Sequence, residues 1–178
     1  MKTTTWLLAI AASAVTFQAS ASDNTITFYG QVANQTCNVS VNGSGSASIL
    51  LPTVSAAELS SATDVAGRTA FEITVTDCAD LTSTGVSTVL VGNNVTLDGY
   101  LGNSDTSADK ATNVVLEVLE NDESTPIDFN QVFYGTKDLI SDPSQTSGSS
   151  KYFVQYRSTG GTTVGKVRAS LQYAVSYL

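Results

Sequence analysis

The chain has 178 residues, enough for one domain, with a formal net charge of −8 and 42% hydrophobic residues. It contains no histidine, which excludes a Ser-His-Asp triad, a Cys-His nucleophile pair and a histidine-ligated metal. The acidic balance argues against nucleic acid and anionic lipid as partners. Residues 1–21 read as a signal peptide: Lys2 starts it, an apolar run follows from Trp6, and Ala19-Ser20-Ala21 is a small-x-small cleavage site. The run is too short for a membrane span, which needs roughly 20 apolar residues. Residues 22–33 alternate, with Ile26, Phe28, Gly30 and Val32 on one face and Thr25, Thr27, Tyr29 and Gln31 on the other. That pattern is a strand whose apolar side chains need a groove.

Two cysteines, Cys37 and Cys78, allow a single pairing. An exported chain meets an oxidising compartment, so a disulfide is expected, closing a loop of about 40 residues worth roughly 4 kcal/mol. Cys37, Val39 and Val41 alternate as a strand, Ile49 to Leu51 is a short apolar strand stopped by Pro52, and Ser55 caps one turn of helix with Glu58 three residues on. After Gly67 a strong strand places Phe71, Ile73 and Val75 on one side and ends at Cys78. Short strands follow at 86–91, 95–97 and 100–101. The strand through Val114, Leu116 and Val118 also carries Val115 and Leu119, so both of its faces are expected to be covered. Further strands are read at 127–129 and through Tyr152, Val154 and Tyr156.

Two acidic groups invite chemistry. Asp105 and Asp109 lie in a polar loop without the ligand spacing of an EF-hand. Glu117, Glu120, Asp122 and Glu123 read as a strand edge running into a turn. Neither supports an enzyme, and no cofactor or metal site is expected. A self-contained binding sandwich, taking a carbohydrate or protein ligand, is the alternative reading; Tyr29, Tyr100, Tyr134 and Tyr152 are its candidate aromatic platform.

The last stretch, from Gly165, has the longest alternation. Val167, Ala169, Leu171, Tyr173, Val175 and Tyr177 occupy one face, and Lys166, Arg168, Ser170, Gln172, Ala174 and Ser176 the other. Read as one strand it would run roughly 40 Å at about 3.3 Å per residue. Eight or nine strands with turns every 8–15 residues indicate an all-β sandwich.

Four features together resemble the pilin subunits of chaperone–usher fimbriae, the type 1 and P pilus family. They are the segment from Asn24 through Gly30 to Val32 followed by Cys37, the strand from Gly67 through Phe71 to Cys78, the alternating C-terminal strand with penultimate Tyr177, and Gly165 fourteenth from the end. The resemblance implies an incomplete immunoglobulin-like sandwich completed by a donor strand from a neighbouring subunit. It implies a signal peptide over 1–21, a donor extension over 22–33 and a pilin domain over 34–178. Donor residues would be Ile26, Phe28, Gly30 and Val32. The acceptor groove and chaperone-binding strand would comprise Gly165, Val167, Ala169, Leu171, Tyr173, Val175, Tyr177 and Leu178. Implied partners are neighbouring pilin subunits, a periplasmic chaperone and an outer-membrane usher; the implied location is a cell-surface fimbrium reached through the periplasm.

Overall fold

The computed structural model describes residues 36–45, 47–81 and 85–177. Eight strands, β1 (Thr36–Val41), β2 (Val65–Ala79), β3 (Ser87–Gly92), β4 (Leu101–Gly102), β5 (Val114–Leu119), β6 (Phe133–Tyr134), β7 (Gly148–Ser158) and β8 (Leu171–Ser176), form two sheets. The larger has the order β1-β2-β7-β5-β4 and the smaller β6-β3-β8, all pairings antiparallel. The short segment at Ala56–Leu59 is a single 3-10 turn, where the Ser55 hydroxyl accepts from Ala57 N–H at 3.2 Å, the cap its sequence announces.

The two inner faces make one core. Register pairs Phe71 with Tyr152, Leu116 with Tyr156 and Val118 with Val154, so alternate residues of β2, β5 and β7 point together toward the smaller sheet. Ile73, Val75, Val86, Leu90 and Val118 are essentially inaccessible. Tyr152 joins the layers: its ring stacks on Phe71 at 5.7 Å and meets Phe133 of the other sheet edge-on at 6.0 Å. Its hydroxyl donates to Asp138 at 2.6 Å, and Asp138 also accepts from the backbone N–H and hydroxyl of Thr88 on β3. Burial, together with the Asp138 carboxylate, pushes the Tyr152 phenol well above its ordinary value.

The strand at β5 is covered on both faces, as expected from its near-continuous apolar run. Glu117 departs from the strand-edge reading. It is buried within β5, where Gln155 Nε2 donates at 2.7 Å and Arg157 lies 3.2 Å away; the Arg157 guanidinium rests over the Tyr100 ring. Its neighbours Glu120, Asp122 and Glu123 do fall at the turn, where Asp122 caps Ser124 and Thr125. The apolar runs at 49–51 and 127–129 are not ladder strands. The strand through Phe71 is longer than expected: it begins at Val65 and bulges near Gly67, whose positive φ and contacts with Val54 and Tyr156 leave no room for a side chain.

Candidate functional site: the open edge of the C-terminal strand

Residues 165–177 divide into two parts. Only Leu171–Ser176 is ladder strand, paired with β3 in a register that sets Tyr173 against Leu90 and Val175 against Thr88. Residues 166–170 continue the same extended line but are held by loops. Lys166 N–H donates to Asp109 O and Lys166 O accepts from Ala111 N–H; Arg168 O accepts from Ser104 N–H, and Ser170 O from Asn93 N–H. Asn103 stitches this part down, with Nδ2 donating to Lys166 O and Oδ1 accepting from Arg168 N–H. A twelve-residue ladder does not form because the body offers loops, not a strand, beside residues 166–170.

Gly165 begins the stretch for a steric reason. Its φ is +154°, and a Cβ there would fall on the Asp109 carbonyl and the Ala111 amide. Only glycine lets the chain pass this loop before turning along the sandwich.

Every backbone bond just named comes from an even-numbered residue, and β8 keeps the same parity against β3. In a strand the backbone groups of alternate residues point to opposite edges. The odd residues therefore turn their N–H and C=O groups to the other edge, where Val167, Ala169, Leu171, Tyr173 and Val175 meet no backbone partner among the described residues. The side chains of these same residues rest on the core, yet each stays half-exposed. Backbone and side chains thus call for one further strand beside β8.

The space for it exists. An elongated cleft of about 430 Å³ runs along Val167, Ala169 and Leu171, floored by Phe71, Leu116, Val118 and Val154. A second cleft of about 250 Å³ continues past Val167 to Gly165, over Leu59, Val114 and Tyr156. The opposite wall is the extended segment 47–51, with Ile49 and Leu51 turned to the core and no backbone hydrogen bond to the described residues. Sequence reading placed a short strand here but missed its role as a wall; an apolar run with no identifiable ladder partner was the available signal. Toward the chain's end the cleft is crossed by two tyrosines. Tyr173 Oη donates to Gly45 O at 2.8 Å, and Tyr177 Oη accepts from Cys37 N–H at 3.0 Å. That N–H lies at the unpaired edge of β1, beside the Cys37–Cys78 disulfide that ties β1 to β2.

Charge around the cleft is superficial. Lys166 and Asp109 form an exposed pair at 3.6 Å, and hydrogen bonds from Ser107 hold the exposed Asp105 carboxyl below its usual range. Among the described residues no group of acidic, cysteine or histidine side chains has the arrangement of a metal site. The candidate tyrosines do not converge: Tyr152 is buried, Tyr100 lies under Arg157, and Tyr134 faces outward from the smaller sheet. Of the residues assigned by sequence, Gly165, Val167, Ala169 and Leu171 line the two clefts, and Tyr173, Val175 and Tyr177 continue the row, partly buried against the core. Ile26, Phe28, Gly30, Val32, Tyr29 and Leu178 lie outside the described residues.

Residues 26–178 match the family model for fimbrial proteins. The chain belongs to that family. It is 34% identical to the major fimbrial subunit SMF-1 of Stenotrophomonas maltophilia (strain K279a), over 93% of this chain and 98% of that protein. It is 31% identical to the F17 fimbrial protein of Escherichia coli, over 97% of each. Among solved structures, the P pilus rod subunit PapA superposes with a TM-score of 0.58 at 18% identity, covering 80% of this chain and 99% of PapA. That likeness identifies the fold as the immunoglobulin-like sandwich of pilin subunits. This pilin is therefore a structural subunit of a bacterial surface fimbria, in a family of structural proteins and not of enzymes.

Proposed function

We propose that this fimbrial subunit polymerises by strand donation, residues 22–33 of one copy filling the cleft beside β8 of the next. The observation that supports this is the one-sided pairing of β8: a row of half-buried apolar side chains and a row of unpaired backbone groups lie on the same open edge. An added strand satisfies both rows. Each ladder hydrogen bond contributes about 0.5–1.5 kcal/mol. Completing the burial of a half-exposed apolar side chain adds roughly 1 kcal/mol, given about 1.5–3 for full burial. Ile26, Phe28 and Val32 supply apolar side chains at the strand period, and Gly30 allows close backbone approach at one position. Donation from each copy to the next is head-to-tail and never closes, so it builds a fibre.

Before assembly the same edge is an aggregation hazard. On this reading a periplasmic chaperone occupies it, and an outer-membrane usher passes the subunit to the growing fimbria. Residues 1–21 direct export, and the finished fibre supports adhesion.

The test is assembly itself. The subunit is purified with its chaperone, released, and run on unheated SDS gels beside a form lacking residues 22–32. The full chain gives a heat-labile ladder and the truncated form gives none. A soluble, stable monomer that folds without a chaperone would overturn strand donation and favour a self-contained binding sandwich.

A further inference from the structure

Asn103 follows β4, is buried, and lines neither cleft. Its side-chain amide is saturated. Nδ2 donates to Ala111 O and to Lys166 O, both at 2.9 Å, and Oδ1 accepts from the N–H groups of Asp105 and Arg168, both at 3.0 Å. Two carbonyls on one side and two N–H groups on the other leave the amide a single orientation. The local ladder shows what this does. Lys110 and Lys166 form a parallel bridge, in which Lys166 N–H donates to Asp109 O and Ala111 N–H donates to Lys166 O. The next bond of a parallel ladder would join Arg168 N–H to Ala111 O. Asn103 occupies that gap, with Nδ2 on Ala111 O and Oδ1 on Arg168 N–H. One side-chain amide thus extends the ladder at the point where the two chains part.

We propose that Asn103 is a positioning residue for strand donation, fixing the edge that residues 166–168 present to the donor. The inference rests on the strand-donation reading and adds to it a residue that lies outside the cleft. The bonds to Lys166 O and Arg168 N–H bracket Val167, which lines both clefts. They hold the backbone groups of the even residues toward the loops, so the N–H and C=O of Val167 stay on the open side. Without Asn103, Lys166 O keeps the Ala111 N–H and Arg168 O keeps Ser104. Arg168 N–H makes no other bond among the described residues. The peptide unit between Val167 and Arg168 can then rotate, and an arriving donor has to order it. The residue type matters as well. A carboxylate of the same shape would face the carbonyl oxygens of Ala111 and Lys166 with no proton to give.

The experiment releases wild-type, Asn103→Ala and Asn103→Asp subunits from chaperone into labelled peptides of residues 22–33, 22–29 and 26–33 and compares affinities. Whichever way the donor runs, one shortened peptide is cut back at the end beside residues 166–168. Asn103→Ala should bind the full peptide, and the shortened one that still reaches, roughly tenfold more weakly than wild type does. The cut-back peptide should bind both proteins equally. Amide exchange at Arg168 should accelerate, while the β8 amides paired with β3 keep their protection. Asn103→Asp covers the case in which the alanine variant does not fold. Its loss of affinity should be full at about pH 7 and shrink at about pH 4, where the protonated carboxyl regains one donor. The charged groups nearby, Asp105, Asp109, Lys166 and Arg168, are common to wild type, so the variant-to-wild-type ratio isolates position 103. A loss shared equally by all three peptides would make Asn103 a stability residue only and overturn the proposal, as would unchanged affinities or a ratio indifferent to pH. A wild type that binds none of the peptides would remove strand donation itself, and the role of Asn103 with it.

Discussion

Strands β7 and β8 each lay a row of aromatic and aliphatic side chains on the core, and only β7 is enclosed. β7 has β2 on one edge and β5 on the other, and its Tyr152, Phe153 and Val154 are buried. β8 has β3 on one edge and a cleft on the other, and its Leu171, Tyr173 and Val175 remain half-exposed. Burial in a sheet is therefore a property of the neighbours as much as of the strand. A side-chain row can be complete while half of the backbone groups beneath it have nothing to bind. In this pilin the first situation holds the subunit together, and under the strand-donation proposal the second is the means of assembly.

The largest effect falls on the enclosed strand. Tyr152→Ala removes the ring that spans both sheets and leaves a cavity, and should cost about 3–5 kcal/mol. The loss should be the same whether the cleft is empty, filled by a peptide of residues 22–33, or held by chaperone, because Tyr152 does not line it. Urea unfolding of each form measures this; a cost that changed with cleft occupancy would break the distinction between the two strands. The phenol adds a pH test. Its folded pKa is raised above the unfolded value of about 10, so its contribution is full below that pH and is lost as the pH rises past it. Tyr152→Phe should flatten the loss of stability between about pH 10 and 12, at the cost of one donor to Asp138.

Next comes Gly165→Ala, at the start of the open strand. The added methyl meets the Asp109–Ala111 backbone at a φ that side chains disfavour, and each of these two costs is typically about 1–3 kcal/mol. Because that loop holds Lys166, where the 166–170 segment begins, the expected outcome includes weaker donor-peptide binding as well as a lower unfolding midpoint. Unaltered peptide affinity would mean that the loop-held part of the stretch has no share in the acceptor site.

Leu171→Ala discriminates between the strands most directly. With the cleft empty the side chain is half-exposed, so truncation should cost only about 1–2 kcal/mol, below the 2–5 usual for a buried leucine. With the cleft filled the cost should rise toward that range, and the difference appears as weaker binding of the 22–33 peptide. Equal costs in both states would show that the donor leaves Leu171 uncovered.

Much of this contrast is written in the residues. Period-two alternation located β2, β7 and the line of the C-terminal stretch, and the continuous apolar run of β5 announced a strand covered twice. Alternation reports faces, however, and is silent about edges, so it could not show that the backbone of residues 166–170 is claimed by Asn93, Ser104 and the 109–111 loop. It was equally silent about segment 47–51, whose apolar side chains line a wall without any ladder. The buried Glu117 escaped for a related reason. Its partners Gln155 and Arg157 are about 40 residues away in sequence and become adjacent only through the β5–β7 register. The resemblance to pilins supplied what periodicity lacks, namely that one edge of the last strand stands open.

The smallest predicted effect tests the two tyrosines that cross the cleft. They look equivalent in sequence, four residues apart on one face, and their hydroxyls differ in what they leave behind. Tyr177→Phe strips the Cys37 N–H of its acceptor at a partly buried edge of β1, where water reaches poorly. A cost of about 0.5–1.5 kcal/mol is expected. Tyr173→Phe frees the Gly45 carbonyl at an exposed position, where water replaces the hydroxyl and the cost should be near zero. If both hydroxyls act as latches across the empty cleft, each phenylalanine variant should also exchange a bound donor peptide faster, by a factor that follows the same order. A larger effect at Tyr173 than at Tyr177 would mean that the exposed bond, and not the one beside the disulfide, sets the width of the cleft.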